Sequence, residues 1–175
     1  MEENAKKTRV SVRALIAVDD GIVLIHRVKD GREYYVVPGG GVKDGETHED
    51  TVKRELLEEL GIEVGNSSLK KLYKLKTEWD SQINVHYFMF CEYNSSEIGT
   101  EKELKFKEDI KTGGTRKVII VKLADLDKFK GLIKPEGLAE AIISDLMLNN
   151  VPANSDGLYR DITAFNVDAK GNLDI

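Results

Sequence analysis

One stretch of the chain carries glutamates at fixed intervals that could bind a divalent metal ion. An arginine among them could form ion pairs with the glutamates. Glu55, Glu58 and Glu59 follow directly on Arg54, and Glu46 comes shortly before. On a helix these neighbouring carboxylates would repel one another, at a cost of roughly 0.2–0.5 kcal/mol for each like-charged pair. A hard cation such as Mg²⁺ or Mn²⁺, which prefers oxygen ligands and keeps waters and substrate phosphates, would relieve that repulsion. From the residues alone, the alternative is a solvated acidic helix face.

The element that must position these acids is predicted to be a helix between Thr47 and Gly61. Thr47 indicates the N-cap, because its hydroxyl can accept from the backbone N–H of Asp50 while the Asp50 carboxylate reaches back. Gly61 indicates the end, since glycine adopts the left-handed conformation that commonly follows a helix. Helical spacing places an apolar side next to the acids. That apolar side consists of Val52, Leu56, Leu57 and Leu60.

The stretch from Gly40 to Ile62 resembles the Nudix box, whose pattern is G-x5-E-x7-R-E-U-x-E-E-x-G-U, with U a bulky aliphatic residue. All nine specified positions match: Gly40, Glu46, Arg54, Glu55, Leu56, Glu58, Glu59, Gly61 and Ile62. A glycine loop and acids in this one register disfavour a merely solvated helix face. The resemblance implies the Nudix α/β/α sandwich with a mixed β-sheet, whereas periodicity alone indicates only a mixed α/β fold.

The resemblance also implies roles for individual residues. The expected metal ligands are the carboxylates of Glu55, Glu58 and Glu59 and a backbone carbonyl near Gly39 and Gly40. Arg54 is expected to orient the glutamates through ion pairs. Glu46 is expected to support the loop and the helix without touching the ion.

The reaction implied by the resemblance is hydrolysis of a diphosphate bond. Anionic oxygens shield the phosphorus, so one to three divalent cations would screen that charge and lower the pKa of a bound water. The general base stays open between Glu55 and the later polar segment 94–114, which is long enough to be functional or mobile. Its candidates are Glu101, Glu103, Glu108 and Asp109. Glu108 is preferred because it lies just ahead of the next strand, with an exposed solubilising charge as the alternative.

Substrate contacts are expected from residues outside the acidic helix. Arg13 and Arg27, each on a β-rich run, are candidates for binding phosphate. Gly39 and Gly40 would allow the backbone to approach a bound phosphate closely. Trp79 could stack on a base or ribose, or pack at the end of a strand. Nudix enzymes that act on dinucleoside polyphosphates tend to carry a tyrosine at about the same distance after the box as Trp79, and those that act on ADP-ribose tend to carry a proline there. This chain has Glu78 and Trp79 at that distance, so neither subgroup is supported.

Hydrophobic patterning predicts strands separated by turns and a few helices. Strands are expected at 9–18, 21–28, 33–37, 62–64, 69–78, 84–93 and 117–123, and further helices at 124–130 and 135–148. The Asp-Gly step at Asp20 predicts a hairpin between the first two strands. His26, a lone histidine on a strand, is expected to be structural.

Composition and charge are typical of a water-soluble globular enzyme. The chain has 175 residues, of which 41% are hydrophobic and 33% charged, and its net charge of −5 provides no general attraction for nucleic acid. The predicted organisation is a flexible leader at 1–8, a Nudix domain at 9–148 and a C-terminal extension at 149–175 packed on that domain. Cys91 is the only cysteine and is expected to be buried. With no apolar segment of membrane-spanning length, a cytoplasmic location is favoured.

Three functions remain from the sequence. The favoured one is a metal-dependent hydrolase that splits a nucleoside diphosphate linked to another group into a nucleoside monophosphate and a phosphorylated remainder. Its partner would be a small phosphorylated nucleotide. Binding to a membrane or to nucleic acid is not expected, and a homodimer is left open. A non-catalytic nucleotide-binding sensor is disfavoured by the intact acids. An RNA-directed, decapping-type enzyme is disfavoured because no basic strip is visible.

Overall fold

A mixed β-sheet forms the centre of the computed structural model, which describes residues 6–78, 82–99, 103–104, 114–147 and 158–162. The strands are β1 (Lys7–Val18), β2 (Gly21–Lys29), β3 (Arg32–Val36), β4 (Gly39–Gly41), β5 (Lys70–Glu78), β6 (Gln82–Glu92), β7 (Glu103–Leu104), β8 (Thr115–Lys122), β9 (Ile133–Lys134) and β10 (Arg160–Asp161). The helices are α1 (His48–Leu60) and α2 (Leu138–Met147), with 3₁₀ segments at Asn66–Ser68, Ser95–Glu97 and Leu123–Leu132. The predicted mixed α/β sandwich is confirmed.

The main path of the sheet runs β10-β5-β6-β1-β2-β3-β9. β1 lies parallel to β6 along nearly its whole length, while β2 pairs antiparallel with β8 on its other edge. β4 adds to β1, and β7 adds to β8. Within the described ranges, no helix is long and apolar enough to cross a membrane.

The sheet opens between β1 and β2. These two strands pair at Ala17↔Ile22 and Val18↔Gly21, next to their turn, and then take different partners. β4 pairs with β1, β3 pairs with β2, and the amide of Ala14 donates to the carbonyl of Pro38 at 2.8 Å where the two halves meet. Because β3 and β4 do not pair with each other, a gap remains between the β1–β4 half and the β2–β3 half.

Helix α1 starts and stops where its sequence predicts. The Thr47 hydroxyl accepts from the amide of Asp50, and the Asp50 carboxylate accepts from the amide of Thr47, which completes a capping box. Gly61 follows the helix with a left-handed φ of 72°. The expected apolar side was wrong at Leu57, which is 51% exposed. It lies about 100° around the helix from Leu56, so it turns away from the sheet.

Two apolar cores lie on opposite faces of the sheet, because successive side chains of a strand point to opposite sides. The α1 face holds Val12, Ile16, Val23, Val36, Val52, Leu56, Leu60, Met89 and the buried thiol Cys91. The α2 face holds Leu15, Leu24, Tyr73, Leu75, Phe88, Leu138 and Ile142. The position expected for Cys91, a buried residue on a strand, is confirmed.

Three sequence-based assignments of secondary structure were wrong. Residues 62–64 form no strand; instead Ile62 is buried against the α1 core, and its amide points to the carbonyl of Leu56 at 3.4 Å. The last helix begins at Leu138 rather than at Pro135, because Gly137 has a left-handed φ of 88° that interrupts helical geometry. The helix predicted at 124–130 is a 3₁₀ segment.

A C-terminal segment, residues 158–162, packs on the edge of the sheet. β10 runs parallel to β5, and the amide of Ile162 donates to the carbonyl of Lys74 at 2.9 Å. The guanidinium of Arg160 donates to both oxygens of the buried Asp145 at 2.8 and 2.7 Å. Its neighbour Tyr159 reaches the opposite face, where its hydroxyl lies 3.0 Å from Nδ1 of His48.

Candidate active site

A cavity of about 580 Å³, here called the inner chamber, lies between α1 and the gap in the sheet. Glycines of β4 and acids of α1 line one side, and basic side chains of the strands line the other. The lining residues are Arg9, Arg13, Ile25, Arg27, Lys29, Tyr34, Val36, Gly39, Gly40, Glu55, Glu59 and Arg116. Its size falls within the range of small-molecule sites.

Arg54 joins the loop before α1 to the acids of the helix. Its Nε and Nη2 donate to Glu46 at 2.6 and 2.9 Å, and Nη2 also donates to the carbonyl of Gly41 at 3.1 Å. Its Nη1 donates to Oε1 of Glu55 at 2.6 Å. The hydrogen bonds that Glu46 accepts, chiefly from Arg54 and also from the amide of Lys43 and the hydroxyl of Thr51, lower the pKa of Glu46 to about 2. Arg54 therefore fixes Glu55 relative to the glycine loop without entering the inner chamber.

Glu59 is a carboxylate held at the edge of the α1 core. Only 7% of it is exposed, since it follows Val52 and Leu56 on the buried stripe of the helix. Its Oε2 accepts from the amide of Gly39 at 2.9 Å. Burial raises the pKa of Glu59 to about 7, a shift opposed by that hydrogen bond and by Arg13. The structure thus keeps a carboxylate where its charge is poorly compensated.

Glu55 and Glu58 differ in their surroundings. The carboxylate of Glu55 lies directly against Gly40, where an added Cβ would overlap it. Glycine at position 40 therefore allows this close approach, and its backbone angles are not the reason for it. Glu58 is 52% exposed, and its Oε2 lies 3.6 Å from Nη1 of Arg54. Glu58 consequently stands at the rim of the site, outside the lining of the inner chamber.

The donor set suits a hard divalent cation. Glu55 and Glu59 both line the inner chamber, and the peptide of Gly39 lies beside them. Among the described residues no group of three or more acids, histidines or cysteines is already gathered around one point. Two carboxylates are nevertheless a usual protein contribution to Mg²⁺, which takes the rest of its shell from water and phosphate. The incompletely compensated charge of Glu59 fits the same ion.

The opposite wall of the inner chamber is basic. Arg13 lies at the gap in the sheet, where its Nη1 donates to the carbonyls of Val37 at 2.9 Å and Gly39 at 3.3 Å. Arg27 and Arg116 are directly paired across β2 and β8, and the Arg27 guanidinium lies 5.5 Å from the centre of the Tyr34 ring. Like charges in directly opposed positions are normally unfavourable, so this pairing indicates an anion-binding surface.

The sequence-predicted residues fall into three groups. The inner chamber brings together Arg13, Arg27, Gly39, Gly40, Glu55 and Glu59. Arg54 and Glu58 flank it. Trp79 and Glu108, with Glu101 and Asp109, lie outside the described residues, and Glu103 is described only as part of β7. His26 faces away, with its Nε2 2.9 Å from Glu33 and its ring stacked on Tyr35.

Besides the apolar Ile25 and Val36, four lining residues were missed in the sequence: Arg9, Lys29, Tyr34 and Arg116. Three of them are charged side chains on strands, and each alone looks like an ordinary exposed position. What unites them is strand register, because Arg27 faces Arg116 on one side and Tyr34 on the other. One sequence signal could have indicated them, namely an alternating strand that has an arginine or lysine on the side facing the core.

Curated relatives match about half of the chain. It is 34% identical over 102 residues to "NAD-capped RNA hydrolase NudC" of Photobacterium profundum, which covers 57% of the chain and 37% of that protein. It is 28% identical over 97 residues to "Uncharacterized Nudix hydrolase YvcI" of Bacillus subtilis, which covers 53% of the chain and 60% of that protein. The chain thus spans less than two thirds of the length of these relatives.

Solved structures share the fold. The MutT protein from Methanosarcina mazei Go1 superposes with a TM-score of 0.63 at 19% identity, covering 85% of this chain and 99% of that one. The E. coli ORF135 protein superposes with a TM-score of 0.62 at 20% identity, covering 87% of this chain and all of that one. The family model described as NUDIX domain matches residues 7–134. Because that match spans most of the chain and includes both α1 and the basic strands, this protein belongs to the Nudix family.

Proposed function

We propose that this protein is a divalent-metal-dependent pyrophosphohydrolase. Its substrate is a nucleoside diphosphate linked to another group, and its products are a nucleoside monophosphate and the phosphorylated remainder. The observation that carries this proposal is that Glu55 and Glu59 face five basic side chains across one cavity. A cation held by the acids and a diphosphate held by the basic groups would meet there.

The Nudix family generally uses divalent metal cations. In this chain Glu55 and Glu59 would hold the ion, with Glu58 and the carbonyl of Gly39 as further candidate ligands. When bound, Mg²⁺ or Mn²⁺ would screen the charge of the diphosphate and lower the pKa of a coordinated water. The sequence prediction of these ligands remains a proposal.

The protein groups supply binding, orientation and proton transfer. Arg13, Arg27 and Arg116 bind the non-bridging oxygens of the diphosphate, since guanidinium groups match phosphate geometry. Arg54 holds Oε1 of Glu55, which leaves Oε2 either to ligate the ion or to accept a proton from the attacking water. Glu108 is the second candidate for that general base, and a variant at each position would separate them.

A substrate panel tests the proposed function. It consists of nucleoside triphosphates, nucleotide sugars, ADP-ribose, NAD and dinucleoside polyphosphates, each with Mg²⁺, Mn²⁺ or EDTA. We expect turnover of at least one compound with metal and none with EDTA. We expect Glu58→Gln to lower kcat by about two or more orders of magnitude in a folded protein, while the exposed Glu63→Gln retains kcat. Turnover that survives EDTA would refute metal dependence, and binding without turnover for every compound would indicate a sensor.

An RNA-linked diphosphate is the second candidate substrate. The observation in its favour is the 34% identity to a relative whose name specifies NAD-capped RNA. The test compares kcat/KM for NAD and for NAD-capped RNA of about twenty nucleotides. A preference of tenfold or more for the capped RNA would support this candidate, whereas equal values would indicate that the RNA body makes no contact.

A further inference from the structure

The chain crosses from one half of the sheet to the other between β3 and β4, and two residues of β1 bind three successive carbonyls at this crossing. Nη1 of Arg13 donates to the carbonyls of Val37 at 2.9 Å and Gly39 at 3.3 Å. The amide of Ala14 donates to the carbonyl between them, that of Pro38, at 2.8 Å. A side chain of β1 therefore fixes the crossing together with the backbone of the same strand.

The side chain of Arg13 passes through the gap in the sheet. Val12 and Ala14, its neighbours along β1, belong to the core on the α1 face, and Leu15 belongs to the core on the α2 face. Because side chains alternate along a strand, Arg13 leaves β1 on the α2 side. Its guanidinium nevertheless lines the inner chamber, beside the acids of α1. The missing pairing between β3 and β4 leaves room for this path.

The N–H groups of Arg13 divide between the glycine loop and the inner chamber. A guanidinium has five N–H donors, two of which are on Nη1. The hydrogen bonds to Val37 and Gly39 account for both of these. Nε is buried, and among the described residues it has no hydrogen-bond partner. Nη2 is left for the diphosphate of the proposed function, so Arg13 can bind the loop and the diphosphate at the same time.

Gly39 links Arg13 to the acid Glu59. Its carbonyl accepts from Arg13, and its amide donates to Oε2 of Glu59 at 2.9 Å. Gly39 has a φ of 133°, and an added Cβ would lie 2.5 Å from Cα of Arg13, so the loop is in direct contact with β1. A displacement of the loop would therefore move the amide that holds Glu59. The Gly39 carbonyl has two lone pairs, so the hydrogen bond from Arg13 leaves one for an ion.

We infer that Arg13 is a positioning residue for the metal site, in addition to its contact with the diphosphate. It fixes the carbonyl of Gly39 and, through the amide of Gly39, the carboxylate of Glu59, so that both groups are in place before substrate binds. This role rests on the proposed function, since it requires that the acids bind a cation. Removal of a positive charge near two carboxylates should by itself strengthen the binding of a metal ion, whereas loss of positioning should weaken it. The two effects have opposite signs and can be told apart.

The test measures the dissociation constant of Mn²⁺ by calorimetry, with no substrate present. Arg13→Met removes the charge and the hydrogen bonds but keeps a long side chain. Arg27→Met is the matched control, because Arg27 lines the same chamber but its guanidinium lies over the Tyr34 ring rather than on the loop. A second measurement, amide hydrogen exchange followed by NMR, compares Gly39 with Leu56 in the middle of α1. Tm is measured for each protein.

We expect Arg13→Met to raise the Mn²⁺ dissociation constant by about tenfold or more, as for other groups that orient metal ligands, and Arg27→Met to leave it unchanged or lower it. Exchange of the Gly39 amide should be about tenfold faster or more in Arg13→Met, with exchange at Leu56 unchanged. If Arg13→Met does not fold, Arg13→Lys takes its place, because lysine keeps the charge but not the rigid fork of donors. The same directions are expected for it.

An Mn²⁺ dissociation constant that is unchanged or lower in the Arg13 variant would overturn the inference and leave Arg13 with a contact to the diphosphate alone. If the wild-type protein binds no Mn²⁺ and hydrolyses no compound of the panel, the proposed function fails. The exchange measurement is independent of that result, and a wild-type exchange rate at Gly39 in the Arg13 variant would overturn the positioning role by itself.

Discussion

Arg54 binds both carboxylate oxygens of Glu46, with Nε 2.6 Å from Oε1 and Nη2 2.9 Å from Oε2. Bidentate arginine pairs of this kind combine charge with fixed geometry. Because Glu46 precedes α1 and Arg54 lies within it, the pair ties the glycine loop to the helix that carries the acids. The same arginine reaches Glu55, so the loop and that acid are positioned together.

The first prediction concerns acid stability. The pKa of Glu46 is lowered from 4.5 to about 2 by its hydrogen bonds, chiefly from Arg54. A carboxylate whose pKa is lower in the folded state stabilises the fold above its unfolded pKa, and this stability is lost as the pH falls from about 4.5 towards 2. In Glu46→Gln, Tm should be lower at pH 6 and should decline less steeply over that window. The exposed Glu63→Gln should keep the wild-type slope, and a wild-type slope in Glu46→Gln would contradict the prediction.

The second prediction compares two adjacent glycines. A Cβ on Gly40 would overlap the carboxylate of Glu55, whereas a Cβ on Gly41 would lie 4.0 Å from its nearest neighbour, the carbonyl oxygen of Val10. Since a flexible side chain can yield, Gly40→Ala should fold normally but displace Glu55. We expect its kcat/KM to fall at least tenfold, and Gly41→Ala to retain most activity. Equal activity in the two variants would show that the position of Glu55 is not limiting.

The third prediction concerns the packing of α1. Leu56 is fully buried, whereas its neighbour Leu57 is 51% exposed. Leu56→Ala should lower the free energy of unfolding by about 2–5 kcal/mol, because it leaves a cavity under the helix. Leu57→Ala should change it by no more than about 0.5 kcal/mol. Denaturant unfolding measures both, and a large loss in Leu57→Ala alone would reverse the assigned orientation of the helix.

The fourth prediction concerns the contact between Arg160 and Asp145. Asp145 is only 3% exposed and accepts hydrogen bonds from Arg160 and from the hydroxyl of Tyr73. Arg160→Met should destabilise the fold by about 1–3 kcal/mol, since a buried carboxylate loses its cationic partner. The same substitution in an Asp145→Asn background should cost less, because the charge that needs the partner is gone. Equal costs in both backgrounds would mean that Arg160 acts through packing alone.

The Nudix helix and its caps could be predicted because their signals are local. Thr47, Asp50 and Gly61 act within a few residues of one another, so their types and spacing suffice. Membership of the Nudix family was predicted from the same stretch and is confirmed. Leu57 was placed wrongly because an apolar residue next to an apolar stripe cannot be distinguished from a member of it by type alone.

The basic wall could not be predicted because it depends on strand register. Arg27 and Arg116 are far apart in the chain and meet only when β2 and β8 align. A shift of one residue would point either side chain to the other face of the sheet. The gap at Arg13 likewise arises from the changes of partner along β1 and β2, which no local pattern reports. The composition of the inner chamber could therefore be found only from the three-dimensional arrangement.

Glu59 shares a helical stripe with the side chains that fill the α1 core. The same rotation of α1 about its axis buries the apolar side chains and points the Glu59 carboxylate into the inner chamber. A change that rotates the helix would therefore alter the core and the site together.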